Sequence, residues 1–225
     1  MGGIVESGGF CACNLKTVPM KLIASLLMSA ALAVSSVSAI AADGPAKPDP
    51  AQGEASYTAV CAACHGADGN SMLPNTPSLA QQFPEYLAKQ LHEFKSGKRE
   101  DAVMQGMAAT LDDAGILNVS AWLGAQKAKD GAAKNAELAA VGERIYRGGA
   151  QDRGVAACAG CHSPNGAGIP AQYPRLAGQH QDYTIKQLAE FRDGKRANSA
   201  TMHDVAKYLT DREVQGLADY IAGLR

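Results

Sequence analysis

Aromatic residues are scarce in this 225-residue chain: one Trp, four Phe and seven Tyr, 5% of the sequence. A core built from side chains alone has few large rings to fill it. One-signed charge is missing too. The formal net charge is −1, and residues 43–225 carry nineteen basic against twenty-one acidic side chains. That excludes the strongly basic profile of a nucleic-acid-binding protein. The apolar stretch at 22–34 is too short and too serine-rich for a membrane span of about 20 residues. The strand-rich βαβ pattern of a thioredoxin-like redox protein is also absent.

The N-terminus does carry an export pattern. Met20-Lys21 precedes the apolar stretch, and Val37-Ser38-Ala39 and Ile40-Ala41-Ala42 both suit signal cleavage. The expectation is a true start at Met20, export to the periplasm and cleavage near Ala39 or Ala42. Residues 1–42 are then an extension plus signal peptide. Cys11 and Cys13 lie upstream of the apolar stretch and are assigned no function.

The remaining four cysteines fall in two copies of one motif, Cys61-Ala62-Ala63-Cys64-His65 and Cys158-Ala159-Gly160-Cys161-His162, at an offset of 97 residues. C-x-x-C-H is the attachment signature of c-type haem. Thiols three residues apart on a helical turn face the same way and can each add to one haem vinyl group. The adjacent histidine lies on that face and can reach the iron. Zinc fits less well, because paired C-x-x-C motifs in zinc ribbons are separated by roughly 15–20 residues. Structural disulfides remain an alternative for an exported chain. The expected cofactors are two covalently attached haems, and they supply the apolar bulk that the aromatics do not.

The duplication extends past the motif. At the same offset Pro77 meets Pro174, Leu79 meets Leu176, and Tyr86, Gln90, Phe94 and Gly97 meet Tyr183, Gln187, Phe191 and Gly194. One extra residue then enters the second half, and Met104 meets Met202. The pattern is helical throughout. Gly53 to Tyr57 and Gly142 to Tyr146 open the halves, and an eight-residue insertion follows Tyr146. Loops are expected at 66–78 and 163–178. Tyr86, Leu87, Gln90, Leu91 and Phe94 share one face of a helix. Thr210 to Glu213 reads as a capping box, with Asp112 as the equivalent cap. The fold expected is all-α: a domain at 43–124, a partly helical linker at 125–137 and a domain at 138–225. The two domains differ in charge, with seven basic and eleven acidic residues in 43–130 against twelve and ten in 131–225.

The second axial position decides whether such a centre binds substrate or only passes electrons. Met104 and Met202 follow their histidines by 39 and 40 residues, in matching loops, and thioether ligation favours reduced iron. Met107 is the rival to Met104, but its counterpart is Val205. The expected axial pairs are His65 with Met104 and His162 with Met202. Pro77 and Pro174 are candidates to offer a carbonyl to the histidine's second nitrogen, with loop rigidity as the alternative. Arg175, opposite Ser78 in the repeat, is a candidate propionate partner. His92 reads as a surface residue, His203 as a neighbour of Met202, and Met72 as packing. His180 follows a Gly-Gln turn, with a propionate contact as the weaker alternative.

On these residues the chain resembles the dihaem cytochrome c4 family. The carriers are both C-x-x-C-H motifs, Pro174 to His180, Tyr183 to Arg196, Met104 to Met107, and Met202 with its following helix. The first half departs at Leu79 to Gln82, where the Gly-Gln-His of the second half is missing. The resemblance implies two cytochrome c-like domains about a pseudo-twofold axis and Cys/Cys/His/Met sites at the positions above. It also implies periplasmic electron transfer from a cytochrome bc complex towards terminal oxidases, by a monomer loosely associated with the membrane. A cytochrome subunit of a larger dehydrogenase, such as a flavocytochrome c, is the alternative. A dihaem peroxidase is a weaker one, because two methionines in register leave no open position.

Overall fold

The computed structural model describes residues 47–225. The export signal, the Met20 start, Cys11 and Cys13 lie outside them. The first half holds α1 (Pro50–Val60), α2 (Ala62–His65), α3 (Pro84–Lys95), α4 (Ala102–Ala109) and α5 (Asp113–Ala125). The second holds α6 (Ala136–Gly148), a 3-10 turn at Gln151–Arg153, α7 (Ala159–His162), α8 (Gln181–Arg192), α9 (Ala200–Ala206) and α10 (Asp211–Gly223). Among the described residues β pairing is limited to two isolated bridges, Ala150 with Val155 and Ile169 with Tyr173.

Each half is built on a crossing of its first and last helices, α1 on α5 and α6 on α10. Glycines make the close approach possible. A Cβ at Gly53 would overlap the backbone carbonyl of Asn118, and one at Gly142 would overlap that of Gly216. Rings pack beside each crossing: Tyr57 lies on Trp122 with centroids 4.6 Å apart, and Tyr146 lies 5.4 Å from Tyr220. Val119 and Leu123 complete one core, and Ile145, Val214, Leu217 and Ile221 the other.

Helix starts follow the side-chain caps. Thr210 and Glu213 form the expected capping box, and the Asp112 carboxylate accepts from Gly115 N–H at 2.7 Å. The methionine segments differ from expectation, being short helices rather than loops. Asp101 caps α4 by accepting from Met104 N–H at 3.0 Å, and Ser199 caps α9 by accepting from Met202 N–H at 3.3 Å. Residues 127–135 carry no helix. Met72, expected as packing, is 86% exposed.

The insertion is tied down by an ion pair. Arg153 Nη2 lies 2.5 Å from Glu213 Oε1, and Arg153 Nη1 donates to the Tyr208 carbonyl at 2.9 Å. The Arg153 bond, opposed by burial and helped by Thr210, holds the buried Glu213 carboxyl down at about 2. A depressed folded-state value contributes stability above the ordinary carboxylate range, and that stability is lost as pH falls through 4.5 towards 2. Solvent at the partly exposed Arg153 screens the pair, so its size is on the order of 1–3 kcal/mol. Arg153→Met is therefore expected to lower the denaturant midpoint of the second half at pH 6 but change it little at pH 2. An equal loss at both values would show that Arg153 acts through packing alone.

Candidate haem centres

The two attachment motifs form single helical turns, α2 and α7. Both histidines are buried. His65 Nδ1 lies 2.9 Å from the Pro77 carbonyl oxygen, and His162 Nδ1 lies 2.9 Å from that of Pro174. A carbonyl only accepts, so Nδ1 carries the hydrogen and Nε2 keeps its lone pair for a metal. Burial outweighs the carbonyl bond and lowers both imidazoles from the ordinary value, which keeps them neutral. The proline carbonyls are thus hydrogen-bond acceptors and not only rigid loop elements. Tyr57 Oη donates to the Gly66 carbonyl at 2.6 Å, and Tyr146 Oη to that of Ser163 at 2.7 Å. Each anchors the residue next to the histidine onto the helix crossing.

Cys61, Cys64, Cys158 and Cys161 are unbridged. Burial pushes the Cys61 and Cys158 thiols up to about 11. A C-x-x-C redox nucleophile needs the opposite, a depressed value. Among the described residues no group of three or more His, Cys, Asp or Glu is arranged to hold a metal by itself.

In the second half Cys158, Cys161, His162 and Met202 line one cavity of about 360 Å³, walled by Phe191 and Leu217. The size and the apolar wall suit a cofactor. Arg175 lines the same cavity, and its Nε is buried with no hydrogen-bond partner. A buried cationic donor left unpaired is costly, and a haem propionate is the acidic group that answers it. The residues therefore fit haem. In the first half Cys61, Cys64 and His65 share one turn, and Met104 stands at the register position of Met202.

First-half residues also reach the second cavity: Pro77, Gln82 and Tyr86 lie on its wall. Beside it the halves meet through two buried arginines, Arg99 at 8% exposure and Arg196 at 7%. Arg99 Nη1 donates to Gln90 of its own half at 2.9 Å, and its Nη2 to Tyr183 and Gln187 of the other at 3.0 and 2.7 Å. Arg196 mirrors it, with Gln187 at 2.6 Å, Tyr86 at 3.2 Å and Gln90 at 3.1 Å. Each guanidinium stacks on a phenylalanine, Arg99 on Phe94 at 4.5 Å and Arg196 on Phe191 at 4.3 Å. In the sequence these residues stand out only as part of the repeat. The available signal was that Arg, Gln and Tyr recur together at one offset.

The remaining histidines fall outside the cavity wall. His92 is exposed. His180 Nε2 pairs across the halves with the Ser71 carbonyl at 2.9 Å, and His203 Nδ1 with that of Phe191 at 2.8 Å. The departure at Leu79 to Gln82 is smaller than it reads. Gln82 stands at the position of Gln179, and Gln81 adopts the left-handed φ of +61° where Gly178 has +74°.

Known proteins show the same organisation. The family model for cytochrome c matches residues 50–127 and again 139–225. Cytochrome c4 of Pseudomonas aeruginosa is 42% identical over 209 residues, 91% of this chain and 98% of that one. A thiosulfate dehydrogenase electron acceptor of Stutzerimonas stutzeri is 40% identical over 212 residues, 92% of this chain and 94% of its own. The crystal structure of reduced cytochrome c4 from Pseudomonas stutzeri superposes with a TM-score of 0.76 at 42% identity, covering 80% of this chain and all of the other. Twice-repeated motif, fold and relatives together place the chain in the cytochrome c family as a dihaem electron-transfer cytochrome of the cytochrome c4 type.

Proposed function

We propose that the protein is a periplasmic carrier that passes single electrons from a cytochrome bc complex towards terminal oxidases, with His65 and Met104 ligating one iron and His162 and Met202 the other. When bound, each haem supplies a one-electron ferric–ferrous couple. The observation that carries the ligation is the cavity joining Cys158, Cys161, His162 and Met202, repeated by sequence register in the first half. His65 and His162 present Nε2 because Nδ1 is held by a proline carbonyl. Capped helix starts fix the two methionines, and a sulfur ligand at each iron leaves no position for substrate, as a carrier requires. The proposed domains are 43–124 and 138–225, joined by 125–137. No helix among the described residues is long and apolar enough to cross a membrane, and the proposal is an exported monomer with at most peripheral membrane association.

A second reading is favoured by one observation, the relative named as an electron acceptor of thiosulfate dehydrogenase. Under it the donor is a dehydrogenase rather than a bc complex. Pyridine haemochrome analysis is expected to give two haems per chain, and magnetic circular dichroism a methionine–iron charge-transfer band for both. Purification from native membranes then separates the donors. A bc complex in the same fractions supports the first reading, and a stoichiometric dehydrogenase subunit supports the second.

A further inference from the structure

We propose that Gln82 and Gln179 are positioning residues that act across the interface, Gln82 of the first half on His162 and Gln179 of the second half on His65. Each strengthens the donor power of the opposite half's iron-ligating histidine. This rests on the axial roles proposed above for the two histidines.

The geometry is a crossed pair of three-link chains. The peptide group joining Pro174 to Arg175 is used at both ends. Its carbonyl accepts from His162 Nδ1 at 2.9 Å, and its N–H donates to Gln82 Oε1 at 2.9 Å. Gln82 Nε2 then donates to the Arg175 carbonyl at 2.9 Å, so the side-chain amide grips the backbone with both its atoms. The mirror arrangement is complete. The Pro77–Ser78 peptide accepts from His65 Nδ1 at 2.9 Å and donates to Gln179 Oε1 at 3.0 Å, and Gln179 Nε2 donates to the Ser78 carbonyl at 2.9 Å. Each glutamine oxygen also accepts from the N–H of the residue that follows it, Phe83 or His180, at 3.0 Å, which fixes its aim.

A peptide group is one conjugated unit. A hydrogen bond accepted from its N–H shifts electron density towards its oxygen and strengthens the bond that oxygen accepts, by about 10–30% per link in a low-dielectric interior. A stronger bond at Nδ1 makes the imidazole more basic at Nε2. A more basic ligand stabilises the oxidised iron, so each glutamine lowers the reduction potential of the centre in the other half. The two halves thereby tune one another. A pair of clasps that served only to glue the halves together has no reason to seize the very peptide that each histidine uses.

The test uses the full-length dihaem protein. Gln82→Leu removes the acceptor and keeps the volume, and Gln82→Met is a second variant of matching length. Both potentials are followed by spectroelectrochemistry, with the centres assigned by their hyperfine-shifted NMR signals. Gln82→Leu and Gln82→Met are expected to raise the potential of the second-half centre alone, by about threefold in its one-electron equilibrium constant; tenfold corresponds to about 59 mV. Gln179→Leu should raise the first-half centre alone, and the Nδ1–H resonance of the opposite histidine should shift with it. With the charge-transfer bands intact, no change, equal changes in both centres, or a change confined to the substituted half would each overturn the proposal. Absence of those bands in the unsubstituted protein would instead overturn the axial assignment, and the tuning role with it.

Discussion

Gly142→Ala is expected to unfold the second half or leave it without stable haem, although alanine is the better helix former. In an exposed helix interior the change gains roughly 0.5–1 kcal/mol. At position 142 the new methyl group would fall on the Gly216 carbonyl, with Leu217 N only 2.8 Å away. These are backbone atoms of α10 and cannot turn aside as a side-chain tip would. Relief requires α6 and α10 to separate, which uncovers Tyr146, Val214 and Leu217 together. Overpacking of this kind costs about 1–3 kcal/mol even where side chains yield, and the backbone case should exceed that. Gly148, at the end of the same helix, is the control. Nothing lies within 4 Å of a Cβ placed there, so Gly148→Ala should be neutral or stabilising. Thermal melts of the two variants, with haem content per chain, make the comparison. A Gly142→Ala melt as high as the parent's would show that the crossing tolerates a wider spacing.

That glycine marks where sequence reading stops. Residues acting through local chain geometry were legible: the Thr210–Glu213 box, the Asp112 cap and the motif turns are fixed by spacings of three or four residues. The proline carbonyls were legible too, because both loops place a proline twelve residues after the histidine. Gly142 stood in a recognised segment, but its reason lies on a helix more than seventy residues away. Glu93 shows a different failure. It is a carboxylate next to the exposed His92, yet it is buried, with Asn198 Nδ2 donating to its carboxylate at 2.7 Å and Lys89 reaching it at 2.8 Å. Burial raises this carboxyl, but the Lys89 and Asn198 bonds more than offset that and hold it below the ordinary value. Lys89 is a neighbour on the same helix, but Asn198 comes from the other half of the molecule, and one half's periodicity carries no trace of it. The methionine segments read as loops because helices of eight and seven residues have too few turns to show a period. Their caps, Asp101 and Ser199, were the available signal. Gln82 is hidden in the sequence because Gln81 and Phe83 replace the glycine and histidine that flank Gln179.

Met202→Ala will remove the methionine–iron charge-transfer band of the second centre and leave that of the first, and Met104→Ala will do the reverse. The side chain of Met202 lies on the same cavity wall as Cys158, Cys161 and His162. Among the described residues no other methionine belongs to that wall. Thioether ligation favours the reduced iron, so its loss should lower the potential of the altered centre by on the order of 0.1 V or more, a fraction of the about 0.8 V that axial ligands span. The first half offers the sharper discrimination. Met107 lies one turn beyond Met104 on α4, on the same side of the helix at i+3. It is 41% exposed, whereas Met104 is half-buried. In the second half that position is Val205, which has no sulfur to offer. Met107→Leu should therefore leave both bands at full strength. If it removed the first-half band while Met104→Ala preserved it, the ligand would be Met107, and the register between the halves would fail at the one point where it was used to choose between two methionines.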